Sequence, residues 1–328
     1  MKYEITLLLA INRLRFLSLA EKTLLTEKVK TTDRFSTVSL DELQHFIGRT
    51  TRIQTWDPQQ IATLAEGDGI SLTRGEFAYT FYWDATYPPL LRETFNPPFL
   101  LFFRGRLPEP DFPSVAVVGT RYPTGQGKKA AFQLGMDLGA AGIPVVSGLA
   151  RGIDISAHIG NIRGGGRSIA VLGCGIDRVY PASNEKAARD LIRSGGCIFS
   201  EYAPGTPPLR YNFPERNRII SGLARAVVVV EAPQKSGALI TADFALSQGR
   251  DLYVHGHCLG TAAGRGCSKL VNEGALEITV AGDIFKDWGL NANPTRGPAE
   301  KPSHPLQREL DGNLLAYAGE YFERNSNG

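Results

Sequence analysis

The chain has 328 residues, of which 42% are hydrophobic and 21% charged, as expected for a globular protein of about two domains. The formal net charge is only +3, which excludes binding of an anionic partner through the overall field and requires a local basic patch. The sequence contains no apolar run long enough to cross a bilayer, no signal-peptide cleavage site after the first apolar run and no disulfide-rich spacing of its four cysteines. We therefore expect a soluble, cytoplasmic protein without membrane contacts.

Residues 1–75 carry the signals of short helices. "ITLLLAINRLRFLSLAEKTLL" places leucines at helical spacing, "SLDELQHFIG" begins with a Ser39 or Asp41 cap and ends at Gly48, and "DPQQIATLAEG" has proline in its first turn and a terminal glycine. These patterns predict a small helical domain of the SAM or helix–hairpin–helix kind. Residues 76–114, rich in proline and aromatic residues, are predicted to be a linker and edge segment containing the strand "FLLFFRG".

From residue 115 onward, short apolar strands alternate with helical patterns. The strands are "VAVVG", "IPVVSG", "SIAVLG", "CIFSE", "AVVVVEA" and "DLYVHG". Strands that are apolar throughout indicate a mostly parallel sheet covered on both faces. We predict an α/β fold with a Rossmann-like, doubly wound domain over residues 115–290. Residues 291–328 are predicted to be a polar tail that can carry one short amphipathic helix, and no winged helix is expected.

Ligands of such sheets bind beyond the carboxyl ends of the strands. The loops there combine basic side chains with free backbone N–H groups at helix N-termini, and both favour phosphate. The basic candidates are Arg121, Arg151, Arg210, Arg216, Arg218 and Lys235. Ser236 and Gly237, which follow Lys235 in the loop "PQKSGALIT", are candidates as well. The arginines of "FPERNR" have an alternative role, in which they form salt bridges with Glu201, Glu215 or Glu231 and fix the loop.

The motifs of common nucleotide and hydrolase sites are incomplete. Arg178 takes the third glycine position of a dinucleotide fingerprint in "GCGIDR", Gly127 lacks a Walker A context, and Ser147 is not in a G-x-S-x-G elbow. His158 lies four residues after Asp154, and we expect this pair to be structural rather than an acid–base couple. No catalytic residue is predicted.

One stretch contains possible zinc ligands. His255, His257, Cys258 and Cys267 lie close in sequence around a glycine-rich loop. Such residues more often line loops, so we predict neither a metal nor another cofactor.

The motifs taken together resemble the DNA-processing protein A family (DprA, also called Smf). They are "VAVVGTR", "VVSGLARGID..AH", "IAVLGCGIDRVYP..N", "FPERNRIISGLA.AVVVVEA" and "SGALITA..AL..GRD", spread from about Tyr79 to Leu290. The resemblance implies a protein without enzymatic activity that binds and protects single-stranded DNA. It also implies a homodimer formed through the Rossmann-like domain, and loading of the RecA recombinase onto incoming strands during natural transformation.

The resemblance also implies which residues form the DNA pocket. These are Gly119, Thr120 and Arg121 of the G-[ST]-R motif, Arg210 before the FPxRNR motif, and Phe213, Arg216, Asn217 and Arg218 within it. Sequence-independent binding of single strands combines a positive groove with aromatic faces for base stacking. Tyr211 and Phe213 alternate with Arg210 and Asn212, so they can supply such faces.

The alternative function is a nucleotide-binding or nucleotide-hydrolysing Rossmann-like enzyme of the lysine-decarboxylase-like group. Thr241 and Asp243 in "SGALITAD" would then act with Glu231, which ends the preceding strand. The P-G-G-x-G-T-x-x-E signature of that group is absent. Strand binding is therefore favoured.

Overall fold

The computed structural model describes residues 3–109 and 113–290, together with the backbone of two later strands. The chain divides between residues 293 and 294 into two compact units. The helices are α1 Ile5–Asn12, α2 Leu19–Val29, α3 Thr32–Ser36, α4 Leu40–Ile47, α5 Pro58–Thr73, α6 Pro89–Arg92, α7 Gly125–Ala140, α8 Ile153–Arg163, α9 Glu185–Arg193, α10 Asn212–Gly222, α11 Gly237–Ser247, α12 Arg265–Asn272 and α13 Ala281–Asp287. The strands of the first unit are β1 Ala78–Phe81, β2 Leu100–Gly105, β3 Val115–Val118, β4 Val145–Ser147, β5 Ile169–Val171, β6 Cys197–Ser200, β7 Ala226–Val229, β8 Asp251–His255 and β9 Leu276–Ile278.

These strands form one nine-stranded sheet in the order β1-β2-β6-β5-β4-β3-β7-β8-β9. Strands β3 to β9 pair in parallel, whereas β2 pairs antiparallel with both β1 and β6. The chain moves outward from β3 to β6 and then continues on the other side of β3 with β7. The strand order therefore reverses between β3 and β7, where a doubly wound sheet opens a crevice at its carboxyl edge.

Helices cover both faces of the sheet, which explains why its strands are apolar throughout. On one face, Ile219 and Ile220 of α10 and Ala242 of α11 pack against Val227 and Val229, two alternate residues of β7. On the other face, α7, α8 and α13 pack against the remaining alternate residues of β3 and β7. The predicted α/β, doubly wound, mostly parallel fold is confirmed.

The N-terminal helices follow most of the predicted signals. Helix α4 begins at a capping box on Ser39 and ends at Gly48, which adopts a left-handed φ of 74°. Helix α5 continues through Gly67 to residue 73, so the helix end predicted at that glycine is wrong. A glycine inside a helix costs only about 1 kcal/mol. The following Asp68 is buried and bonded to Arg13 at 2.8 Å, which holds the later turns in place.

The same helices share a hydrophobic core with the sheet. Leu25 of α2 and Phe35 of α3 belong to one buried cluster with Ala170 of β5, the adjacent Leu172 and Ile198 of β6. Helices and sheet therefore lie in one compact unit. The predicted domain bounds at residues 75 and 114 stay predictions, and strands β1 and β9 were not predicted.

The second unit contains two described strands, β10 Leu314–Tyr317 and β11 Glu320–Glu323, which pair antiparallel. The short helix predicted for the tail is wrong for these residues. The aromatic residues of "LLAY" and "EYFE" favour strands, and antiparallel pairing satisfies the backbone groups of both segments. The predictions of a polar linker and of no winged helix fall on residues outside the described part of the chain. Among the described helices, none combines the length and the apolar character that a membrane span requires.

Candidate nucleic-acid interface

The crevice between β3 and β7 is closed at its base by backbone contacts. The Thr120 N–H donates to the Glu231 carbonyl at 2.7 Å, and the Ile153 N–H donates to the Thr120 carbonyl at 3.3 Å. A Cβ atom at Gly119 would lie 2.5 Å from Ile153 Cγ1 and 2.9 Å from the Glu231 carbonyl oxygen. Only glycine therefore lets the ends of β3 and β7 and the start of α8 approach so closely.

The buried Glu231 carboxylate fastens the loop after β3. It accepts hydrogen bonds from Thr124 N at 2.9 Å and Thr124 Oγ1 at 2.6 Å, and His257 Nε2 lies 3.3 Å away. Thr124 in turn caps α7. The interpretation of Glu231 as an anchor for Arg216 or Arg218 is wrong, because this carboxylate is occupied by the loop that precedes α7.

Arg216 is buried rather than displayed at the edge of the sheet. It is 4% exposed, its Nη1 donates to the carbonyl of Val171 at the end of β5, and a Cβ atom at Gly148 would lie 2.8 Å from its Cζ. Burial lowers the pKa of Arg216, and the neighbouring Asp154 opposes that effect. Arg216 thus holds the loops after β4 and β5 together, and its predicted contact with DNA stays a prediction.

Arg218 and Asn217 also make internal contacts. Arg218 pairs with Glu201 at 2.5 Å, and little of either side chain is exposed. This confirms the alternative role of Arg218 as a salt-bridge residue, and its predicted DNA contact stays a prediction. Asn217 Nδ2 donates to the carbonyl of Gly237 at 3.3 Å, which joins α10 to the first residue of α11.

Phe213 joins the loops that surround the crevice. The Arg121 guanidinium lies 5.5 Å from the centre of the Phe213 ring, within the range of a cation–π contact. The Tyr180 ring lies 5.4 Å away on the loop after β5. A Cβ atom at Gly173 would lie 2.8 Å from the Phe213 ring, so glycine is needed there as well. Tyr180 was not among the predicted site residues, although an aromatic residue in a loop at the carboxyl edge was an available signal.

Of the predicted basic candidates, four are exposed in the loops at the carboxyl edge, and we call them the basic rim: Arg121, Arg151, Arg210 and Lys235. Apart from the Arg121–Phe213 contact, none of the four has a hydrogen-bonding, ionic or ring partner within the described residues. The adjacent Ser236 caps α11 by accepting from Ala238 N at 3.3 Å. The rim thus presents unneutralised positive charge beside the N-termini of α7, α8 and α11, an arrangement that favours anions.

His158 cannot serve this site as an acid–base group. It is buried, and its Nδ1 lies 2.7 Å from Ser168 Oγ. Burial, with a contribution from Arg216, lowers the pKa of His158 to about 3. The predicted pairing with Asp154 is wrong, because Asp154 instead accepts from Gly148 N at 3.1 Å.

The possible zinc ligands also make internal contacts. Cys258 Sγ donates to the carbonyl of Val230 at 3.3 Å, and the Nδ1 atoms of His255 and His257 lie 3.1 Å apart. Burial, with His257 beside it, lowers the pKa of His255 to about 4. In residues 3–109 and 113–290, no three His, Cys, Asp or Glu side chains are placed to share a metal ion.

Comparison with known proteins agrees with this geometry. The sequence model of the family described as DNA recombination-mediator protein A matches residues 78–289. The chain is 42% identical over 205 residues to the DNA processing protein DprA of Streptococcus pneumoniae, an alignment that covers 62% of this chain and 72% of that protein. It is 45% identical over 210 residues to the protein Smf of Synechocystis, covering 63% of this chain and 52% of the relative. The match thus spans about half the length of the Synechocystis protein.

The similar solved structures include two of DNA processing protein A. The X-ray structure of DprA from Streptococcus pneumoniae aligns with a TM-score of 0.70 and 32% identity, covering 88% of this chain and 99% of that one. A structure of DNA processing protein A from Helicobacter pylori, described by its single-stranded DNA binding mode, aligns with a TM-score of 0.58 and 27% identity, covering 65% of this chain and 95% of that one. The family match extends over well over half of the chain and includes the whole crevice. The chain belongs to the DNA recombination-mediator protein A family.

Proposed function

We propose that the protein is a recombination mediator without enzymatic activity, which binds single-stranded DNA along the basic rim. In this role it protects incoming strands and, as a homodimer in the cytoplasm, loads RecA onto them during natural transformation. The observation that carries the DNA-binding part is the basic rim itself. Its side chains are exposed at the carboxyl ends of the strands, Arg121 lies over the Phe213 ring, and none of the four is neutralised by a carboxylate among the described residues.

The rim has the chemistry of a phosphate track. Arg121, Arg151, Arg210 and Lys235 are borne by four different loops, so a strand can cross several of them. Contacts to phosphate carry no sequence information, so we expect affinity to depend weakly on base sequence. An exposed aromatic residue such as Tyr180 offers a stacking face that only unpaired bases can use, which favours single strands over duplex.

The residues needed by the alternative enzyme are poorly placed for turnover. Thr241 and Glu231 are each 1% exposed, and the Glu231 carboxylate already accepts two hydrogen bonds from Thr124. A general base must come within hydrogen-bonding reach of its substrate or of a water molecule. This occupancy supports a binding role over hydrolysis.

Dimerisation, RecA loading and the link to transformation are proposed from the family. The family is described as one of recombination-mediator proteins, and the Helicobacter pylori relative is described by its single-stranded DNA binding mode. Each of these roles requires that a single strand be bound whatever its sequence, and the basic rim has the chemistry for such binding.

A competition titration tests the proposal. A fluorescent oligo-dT of about 20 nucleotides, long enough to cross several rim loops, is titrated with protein at several salt concentrations. Unlabelled duplex and mononucleotides serve as competitors. We expect salt-dependent binding that neither competitor abolishes. If the oligonucleotide fails to bind or is displaced by mononucleotides, and the mononucleotides are cleaved, the rim belongs instead to a small-nucleotide enzyme.

A further inference from the structure

The N-terminal helical layer reaches the DNA-binding edge through Arg15. This residue follows α1, and its Nη1 donates to Asn212 Oδ1 at 2.8 Å while Nη2 pairs with Glu215 at 2.5 Å. Asn212 is fully buried, and its Nδ2 donates to the carbonyl of Gly173 at 3.0 Å. The buried amide of Asn212 thus connects Arg15 to the loop at Gly173, which packs against the Phe213 ring.

The Arg15 guanidinium also contacts two tyrosine rings. Its Cζ lies 4.5 Å from the centre of the Tyr202 ring and 5.7 Å from that of Tyr211. Tyr202 is 2% exposed, and its hydroxyl donates to the Asn212 carbonyl at 3.1 Å, so it is a fixed support. Tyr211, in contrast, is 62% exposed. An exposed ring restrained by a cation loses little rotamer freedom when another flat group stacks on it.

The position of Tyr211 relates it to the rim. It follows Arg210 directly and precedes Phe213 by two residues, at the start of α10. A strand whose phosphate meets Arg210 therefore brings a base close to Tyr211. The charge of Arg15 is already balanced by Glu215, so we expect Arg15 to contribute geometry rather than phosphate neutralisation.

We infer that Tyr211 is a stacking site for an unpaired nucleobase, and that Arg15 of the N-terminal layer is the residue that positions it. The inference rests on the proposed function and assigns the N-terminal helices a part in strand binding. The ligand class is any nucleobase with a free face, because stacking needs no particular base edge.

Replacement of Tyr211 gives the direct test. In Tyr211→Leu we expect about tenfold weaker binding to oligo-dT, the order of one lost aromatic–base stack, with an unchanged salt slope. Tyr211→Phe should keep wild-type affinity, since the ring is retained. On an oligonucleotide of the same length whose sugars carry no bases, Tyr211→Leu and wild type should bind equally.

Replacement of Arg15 tests the positioning role. We expect Arg15→Gln to weaken oligo-dT binding by about the same factor as Tyr211→Leu, and the double variant to be no weaker than either, because both remove one stacking interaction. The salt slope should again be unchanged. Lys28→Gln, which removes an exposed charge from the later part of α2, is the matched control and should bind as wild type.

The outcomes separate this inference from the proposed function. If Tyr211→Leu binds oligo-dT as wild type does, or loses equally on the base-free strand, the inference is overturned, while weaker binding by Arg121→Ala would leave the proposed function standing. If wild type binds no single strand, both are overturned. Thermal unfolding of each variant checks folding, and if Arg15→Gln is unfolded, the Tyr211 variants and the base-free strand decide.

Discussion

The arginines within and just before the FPERNR segment differ in burial. Arg216 and Arg218 are enclosed and bonded to Val171 and Glu201, so they stabilise the loops. Arg210, a few residues earlier, is exposed and lacks a carboxylate partner in the described part of the chain. The two buried guanidiniums of the motif thus fix the loops, whereas Arg210 is the exposed charge to which the proposed function assigns a phosphate contact.

The buried pair gives a stability prediction. In Glu201→Gln the Arg218 charge stays buried without its bonded carboxylate, and breaking such a pair costs about 3–5 kcal/mol in the free energy of unfolding. Urea denaturation measures the loss. The control is Glu185→Gln, which breaks an exposed pair with Arg189 and should cost less than about 1 kcal/mol. Equal losses in the two variants would contradict the structural role of Arg218.

His158 predicts acid sensitivity. Its pKa is lowered from 6.5 to about 3 in the folded chain, so below about pH 6.5 the unfolded chain binds a proton that the folded chain rejects. The contribution of neutral His158 to the free energy of unfolding is therefore fully present above about pH 6.5 and is lost as the pH falls towards 3. Between pH 7.5 and pH 5 we expect a loss of about 2 kcal/mol from this group.

The measurement compares variants at both pH values. Urea denaturation of His158→Gln should lack this part of the pH dependence, whereas His45→Gln, in the N-terminal layer, should keep it. The same pH dependence in His158→Gln as in wild type would show that His158 is not the group responsible.

At the scale of elements, two glycine-containing helix surfaces set the position of the crevice loops. Helices α7 and α8 begin at the loops after β3 and β4 and pack with their backbones in contact. A Cβ atom at Gly160 of α8 would fall against the Phe132 carbonyl and 3.0 Å from Met136 N of α7. The two helix N-termini are thereby held beside one another at the basic rim.

This contact predicts the effect of a larger residue. Gly160→Val should separate α7 from α8 and destabilise the fold by about 1–3 kcal/mol or more, the range of overpacked interiors. Gly69→Ala in α5, where no atom lies within 4 Å of the added Cβ, should instead stabilise by about 0.5–1 kcal/mol. Thermal or urea unfolding distinguishes them, and a Gly160→Val variant as stable as wild type would refute the close packing.

The sequence predicted those elements whose signals are local. The six strands from β3 to β8 were predicted from apolar runs, and the cap at Ser39 and the end at Gly48 from single residues. The end of α5 was predicted wrongly, because its continuation depends on the distant Arg13–Asp68 contact. Strand β9, whose residues are partly exposed, lacks the apolar run on which the other predictions relied.

The candidate site was predictable only in part, for the same reason. The loops at the carboxyl edge follow from the strand order, so Arg121 and Arg210 could be placed at one edge in advance. Whether an arginine there is buried depends on packing, and this decides the role of Arg216. The contact of Arg15 with Asn212 joins residues 197 positions apart, and no local pattern reveals it.

At the scale of the whole molecule, a nearly neutral chain concentrates unpaired positive charge at one edge of its sheet. The formal net charge is +3, so the overall field is weak and attraction of a polyanion must come from the rim. Each phosphate that a basic side chain neutralises releases counterions, which makes the affinity fall with salt by a slope of about 0.7 per phosphate on single strands. The slope therefore counts the rim residues in use.

The most direct test of the central claim is this slope, measured with oligo-dT for wild type, Arg121→Ala, Arg210→Ala and a control. The control is Arg193→Ala. Arg193 is exposed and lies at the end of α9, near the amino ends of the strands and away from the rim. We expect each rim variant to bind all single strands more weakly and to flatten the slope by about 0.7, while the control matches wild type. Unchanged slopes in both rim variants, or an equal change in the control, would contradict a phosphate track on the basic rim.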